Sequence, residues 1–129
     1  MFRFKLLLGL SLLLLLSANV QAQGLKVPKM DLSSQVLGIL NKTDGLGLDE
    51  NQKSALTKEN SSFVDQLMNI SNSDKSDDDK KTAFLGLKNN RVKMLTGLLG
   101  NDLFQKYSGQ ILKSINPLKS KLGLAALAF

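Results

Sequence analysis

The stretch LDENQKSALTKENSSFVDQLMNI, residues 48–70, decides how the rest of the chain is read. Asp49 and Gln52 spell a capping box, in which the Asp carboxylate accepts the backbone N–H three residues on and the Gln side chain reaches back to the N–H of Asp49. Leu48 precedes the cap as a hydrophobic staple. From there Ala55, Leu56, Phe63, Leu67 and Ile70 recur at helical spacing, with Val64 and Met68 widening the stripe. Ser71-Asn72-Ser73-Asp74 ends it. The spacing predicts an amphipathic helix with one face in a core.

The flanking segments extend the same pattern. Asp31 is expected to cap an earlier helix reaching about Asn41, with Leu32, Val36, Leu37 and Leu40 on its apolar side. Thr43-Asp44-Gly45-Leu46-Gly47 reads as a turn, since two glycines so close together favour one. A third helix is expected from about Ser76, where Asp77, Asp78 and Asp79 offset the positive end of the helix dipole. Phe84, Leu87, Arg91, Leu95 and Leu98 share its face, flanked by Val92, Met94 and Leu99, and Gly97 and Gly100 loosen its end.

Asp102-Leu103-Phe104-Gln105 repeats the Asp-x-x-Gln spelling and predicts a second capping box, opening a helix with Phe104, Tyr107, Ile111 and Ile115 along one side. Asn116-Pro117 stops that helix. Leu118, Leu122, Ala125 and Phe129 then predict a short, apolar last helix. No run alternates with period two long enough for a strand. The expected fold is all-α, a small bundle of four to five antiparallel helices.

The amino terminus reads differently. Met1-Phe2-Arg3-Phe4-Lys5 is basic, Leu6 to Leu16 is almost wholly apolar, and Val20 and Ala22 suit the third-last and last positions before signal peptidase. The apolar run falls short of the roughly 20 residues that cross a bilayer. Residues 1–22 are therefore expected to be a signal peptide cleaved after Ala22, making the protein secreted or periplasmic. Residues 23–30, with Pro28, are expected to be a flexible tail, and residues 31–129 a single helical domain. The absence of cysteine from all 129 residues rules out disulfides and fits a bacterial envelope better than other secreted settings.

The 17 basic and 11 acidic residues give the full chain a charge of +6; loss of Arg3 and Lys5 with the leader leaves +4. That charge is interspersed, without the basic stripe and reading motif of a nucleic-acid binder, so no nucleic acid is expected. Histidine is absent as well as cysteine, which removes the commonest general base, the thiol nucleophile and the usual transition-metal ligands. Asp74, Asp77, Asp78 and Asp79 lack the spacing, sixth-position glycine and closing Glu of an EF-hand. No catalytic residue, metal or cofactor is expected, and the protein is not expected to be an enzyme.

The paired starts, Leu48-Asp49-Glu50-Asn51-Gln52 and Asn101-Asp102-Leu103-Phe104-Gln105, resemble the LTxxQ family of small periplasmic helical proteins, which includes the Spy-type stress chaperones. In that family Leu-Thr-x-x-Gln occurs twice, each copy capping a helix. Asp stands here in place of Thr in both copies, and Asn101 in place of the leading Leu in the second. The resemblance covers roughly Leu46 to Gln110 and takes in Arg91. It implies an antiparallel helical dimer that holds unfolded proteins on a cradle-shaped face without ATP. The layout is also similar to that of secreted helical proteins from which no activity follows.

Two functions are thus expected. One is an exported, non-enzymatic binding protein with chaperone-like contact to unfolded or envelope proteins, as a homodimer or alone. The alternative is a structural envelope protein that touches a membrane peripherally, or a partner, through its apolar C-terminal helix. Arg91 reads either as a core-edge residue whose guanidinium reaches water or as a contact to client or second subunit. Leu118, Leu122 and Phe129 read either as core or as an exposed contact surface.

Overall fold

A computed structural model describes residues 27–129, with side chains from residue 32 onward; the expected signal peptide and its cleavage point lie outside the described residues. Among these residues the regular structure is helical throughout. It comprises α1 (Val27–Leu40), α2 (Glu50–Ser71), α3 (Asp77–Leu99), α4 (Asn101–Ile115), a 3-10 turn at Asn116–Leu118, the one-turn α5 (Lys119–Leu122) and a 3-10 segment at Gly123–Ala128. The protein is all-α. Residues Ser33–Phe129 form one compact unit. Among the described residues, no helix is long and apolar enough to cross a membrane.

α2 begins as its spelling predicts. Asp49 Oδ1 accepts the Gln52 N–H at 2.7 Å, and the Asp49 N–H donates to Gln52 Oε1 at 3.1 Å. Two of the orphan donors at the helix start are satisfied in this way. Leu48, the staple, is buried, as is Leu46 in the preceding turn. The inward face of α2 is Leu56, Asn60, Phe63, Val64 and Leu67, whereas Ala55 is exposed.

α3 is capped by Ser76, whose Oγ accepts the Asp79 N–H at 3.3 Å. Phe84, Leu87, Arg91, Leu95 and Leu99 are buried, so Leu99 rather than Leu98 completes the stripe. Three contacts align the two helices antiparallel. Lys80 Nζ donates to the Ser71 carbonyl at 3.1 Å, Arg91 Nη2 to Asn60 Oδ1 at 2.7 Å, and Gln52 Nε2 to the Leu98 carbonyl at 3.4 Å. Gln52 thereby serves two helix ends, because Leu98 lies in the last turn, where carbonyls lack an intrahelical partner.

The second Asp-x-x-Gln does not cap. Gly100 alone joins α3 to α4, at φ 80° and ψ 164°, a conformation in which glycine is strongly preferred. Its carbonyl already accepts the Phe104 N–H at 2.9 Å, which makes Gly100 the cap and Asn101 the first helical residue. Asp102 lies two positions past the cap and acts only as a first-turn charge; Gln105 is exposed.

Both ends of the described chain also differ from expectation. Residues Val27–Met30 are helical where a tail was expected, and Asp31 lies within α1 instead of capping it. Pro28 is compatible with this, since a first-turn position needs no N–H. The last segment is not one helix: α5 stops at Gly123, whose φ of 59° and ψ of −129° break the α path, and a 3-10 run follows. Leu122, Ala125 and Ala128 are nonetheless buried. Phe129 meets Phe63 edge-on, with ring centroids 5.3 Å apart and planes at 83°. α3 packs chiefly against α2 and this C-terminal 3-10 segment, which makes it the central element of the fold.

Candidate functional site

The interior contains two buried polar or charged residues among the described positions, Asn60 and Arg91, and both belong to one cluster with Tyr107. Periodicity brings them together. Asn60 lies four residues from Leu56 and from Val64, Arg91 four from Leu87 and from Leu95, and Tyr107 four from Ile111, so each occupies an inward position of its helix.

Their common target is the end of α1. Leu40 is the last residue of that helix, and its carbonyl accepts from Asn60 Nδ2 at 2.9 Å and from the Tyr107 hydroxyl at 2.6 Å. Asn60 Nδ2 also donates to Asn41 Oδ1 at 2.8 Å. On its other side, Asn60 Oδ1 accepts from Arg91 Nη2 at 2.7 Å, and Tyr107 Oη accepts from the same nitrogen at 3.3 Å. Four elements are thus tied at one point, and a cation lies near a helix C-terminus, where the dipole favours it.

Arg91 is 7% exposed. Its guanidinium carbon sits 4.4 Å from the centroid of the Phe63 ring, a cation–π contact. Burial pulls its pKa below the ordinary value, opposed by Tyr107 and by Glu59. Burial likewise pushes the Tyr107 phenol upward, opposed by Arg91 and Asn60. One donor is left over: Arg91 Nη1 is buried and has no hydrogen-bond partner. The expected guanidinium reaching water is therefore corrected. The inward register of α3 carries the whole side chain into the interior, where Asn60 supplies the acceptor.

Beside the cluster, α3, α4 and the last two residues line a half-open cavity of about 160 Å³. Its inner wall is Arg91, Leu95, Tyr107, Ile111 and Ala128, all buried, with the half-buried Phe129 beside them. Its rim carries exposed Lys88, Val92 and Leu112 with half-buried Ser108. The arrangement offers hydrogen-bond donors and an apolar wall, with no histidine, cysteine or paired carboxylates to perform acid–base or nucleophilic chemistry.

The residues singled out from the sequence are therefore scattered. Asp49 and Gln52 form their box at the start of α2, while Asp102 and Gln105 form none. Leu122 is buried, Leu118 and Phe129 are half-buried, and only Arg91 and Phe129 of the set line the cavity. Asp77, Asp78 and Asp79 are exposed in the first turn of α3, and no described group of three or more acidic side chains is placed to hold a metal. Asn60 and the polar role of Tyr107 do not stand out in the sequence; a lone polar residue in register on each of three apolar stripes is the available signal. Compared with known protein families, curated proteins and solved structures, the chain matches none.

Proposed function

We propose that the chain is an exported, non-enzymatic binding protein that engages apolar segments of unfolded or envelope proteins along α3 and the adjoining side of α4. The observation that carries this reading is the set of large apolar side chains left on the surface there. Leu85 and Val92 of α3 and Leu112 of α4 are between 38% and 47% exposed. Lys88, Lys93 and Lys113 are interleaved with them and exposed too. Aliphatic contact area with scattered basic groups suits clients that are apolar and acidic in varied order, because neither attraction demands a fixed geometry.

The alternative, contact through the C-terminal segment, has less support, since Leu122, Ala125 and Ala128 are packed inside. The test is the aggregation of an unfolded model protein followed by light scattering over a range of ratios. The expected result is slowing near equimolar ratio, largely lost in a Leu85→Ser/Val92→Ser/Leu112→Ser variant that keeps its helical circular dichroism. Absence of any effect from the unaltered protein at every ratio removes the reading.

A further inference from the structure

We infer that the protein docks peripherally on anionic phospholipid bilayers through one side of α3, the stripe Lys81, Leu85, Lys88 and Val92, together with Leu112 of α4. This goes beyond client binding, since the partner is a lipid surface instead of a polypeptide.

Charge that reads as interspersed over the whole chain is divided unevenly along it. Residues 32–79 hold four basic and nine acidic side chains, whereas residues 80–129 hold nine basic and one acidic. Seven of those nine cations are exposed lysines, and Asp102 and the terminal carboxylate are the only negative groups in the segment. Surface hydrophobicity is divided the same way. Among residues with described side chains, the large apolar ones that are exposed, Leu85, Val92, Met94, Leu112 and Leu127, all fall in the basic segment. Both signals meet on one side of α3. Lys81, Leu85, Lys88 and Val92 are all exposed, and their spacing of four, three and four residues aligns them along the helix. Lys88 and Val92 share the lining of the half-open cavity with Ser108 and Leu112, so Leu112 continues the same surface.

The chemistry of the stripe selects its occupant. A second copy is a poor fit on two counts. Paired with itself, the stripe sets Lys81 and Lys88 against like charges, which costs affinity. Paired with residues 32–79, it meets carboxylates but no exposed large apolar side chain to cover Leu85, Val92 and Leu112. An anionic bilayer supplies both partners at once, headgroup phosphates for the lysines and acyl chains for the aliphatic side chains. The lysine stems add to the apolar contact while their ammonium groups stay at headgroup level.

The experiment is co-sedimentation of residues 23–129 with vesicles, which keeps the compact unit from Ser33 onward whole and takes the apolar run of residues 6–16 out of the assay. Vesicles of equal parts phosphatidylglycerol and phosphatidylcholine are compared with phosphatidylcholine alone. Partitioning is expected to be about tenfold or more stronger on the anionic vesicles and to weaken as salt is raised. Lys81→Gln/Lys88→Gln is expected to lower it about 25-fold, about fivefold for each lysine. Lys53→Gln/Lys58→Gln removes the same charge from exposed positions of α2 and is expected to change it less than about twofold. Every altered position is exposed, so both variants are expected to keep their helical circular dichroism. Equal partitioning on the two vesicle types, no partitioning on either, equal losses in the two lysine pairs, or equally tight capture by soluble polyglutamate would each overturn the assignment. The light-scattering assay contains no lipid, so the two proposals fail separately.

Discussion

Two levels of the interior are built on opposite principles. Near the Asn72–Ser76 connection, Phe84, Leu122 and Ala125 meet as apolar side chains, with half-buried Ser71 and Lys80 only at their edge. At mid-height, Leu40, Asn60, Arg91 and Tyr107 converge from four segments and are joined by hydrogen bonds, with Arg91 Nη1 left as a buried donor without a partner. The apolar level gains stability from area removed from water, which depends little on which neighbour supplies the contact. The polar level gains less net energy but admits few alternative arrangements, because a shift of one element leaves donors and acceptors unmatched in a low-dielectric setting. The first level makes the bundle stable and the second fixes how its helices meet.

The sharpest way to break this contrast is to remove polarity while keeping shape. Asn60→Leu deprives Arg91 of its acceptor at 2.7 Å and strips one donor from the Leu40 carbonyl. Stranding a buried charge in this way is expected to cost about 3 kcal/mol or more in denaturant unfolding. Replacing the whole cluster, as Asn60→Leu/Arg91→Met/Tyr107→Phe, is expected to recover about 2 kcal/mol of that loss, since no charge then remains to strand. A triple variant as unstable as the single one would show that shape, not polarity, governs the level.

Tyr107→Phe is a milder cut, expected to cost about 1 kcal/mol, because the Leu40 carbonyl keeps Asn60 as a donor. It also carries a pH signature. The folded phenol has its pKa raised by burial above the ordinary value near 10. Its contribution is therefore fully present below the unfolded pKa and is lost as pH rises through the folded one. Unfolding measured on either side of pH 10 should show a steeper alkaline decline for the unaltered protein than for Tyr107→Phe. The smallest effect belongs to the apolar level, where Leu122→Met, conserving volume at a buried site, is expected to cost about 1 kcal/mol or less. A loss there matching that of Asn60→Leu would erase the distinction between the levels.

Local devices were legible in the sequence, and assembled ones were not. Asp49 and Gln52 lie within four residues of each other, so their mutual hydrogen bonds depend only on the helix they begin. Asp102 and Gln105 have the same spelling, yet their role is decided by Gly100, whose backbone turn starts the helix two residues early. Helical spacing correctly brought Leu122 inward but missed the interruption at Gly123, because side-chain periodicity is nearly blind to one glycine at positive φ. The polar cluster joins positions up to 67 residues apart. Each member alone looks like an ordinary residue on a stripe, and no pattern within one helix shows that three of them share a point. The cavity is a product of that assembly and has no spelling at all.

The single residue between α3 and α4 has a consequence for rotational phase. With nothing but Gly100 linking them, α4 has no slack in which to turn about its own axis relative to α3. One added residue at this junction would rotate every later side chain of α4 by about 100°, swinging Tyr107 away from the Leu40 carbonyl and Ile111 out of the hollow in one motion. Length at this junction, more than the chemistry of any residue in it, therefore keeps the donors and the apolar wall pointed at the same space.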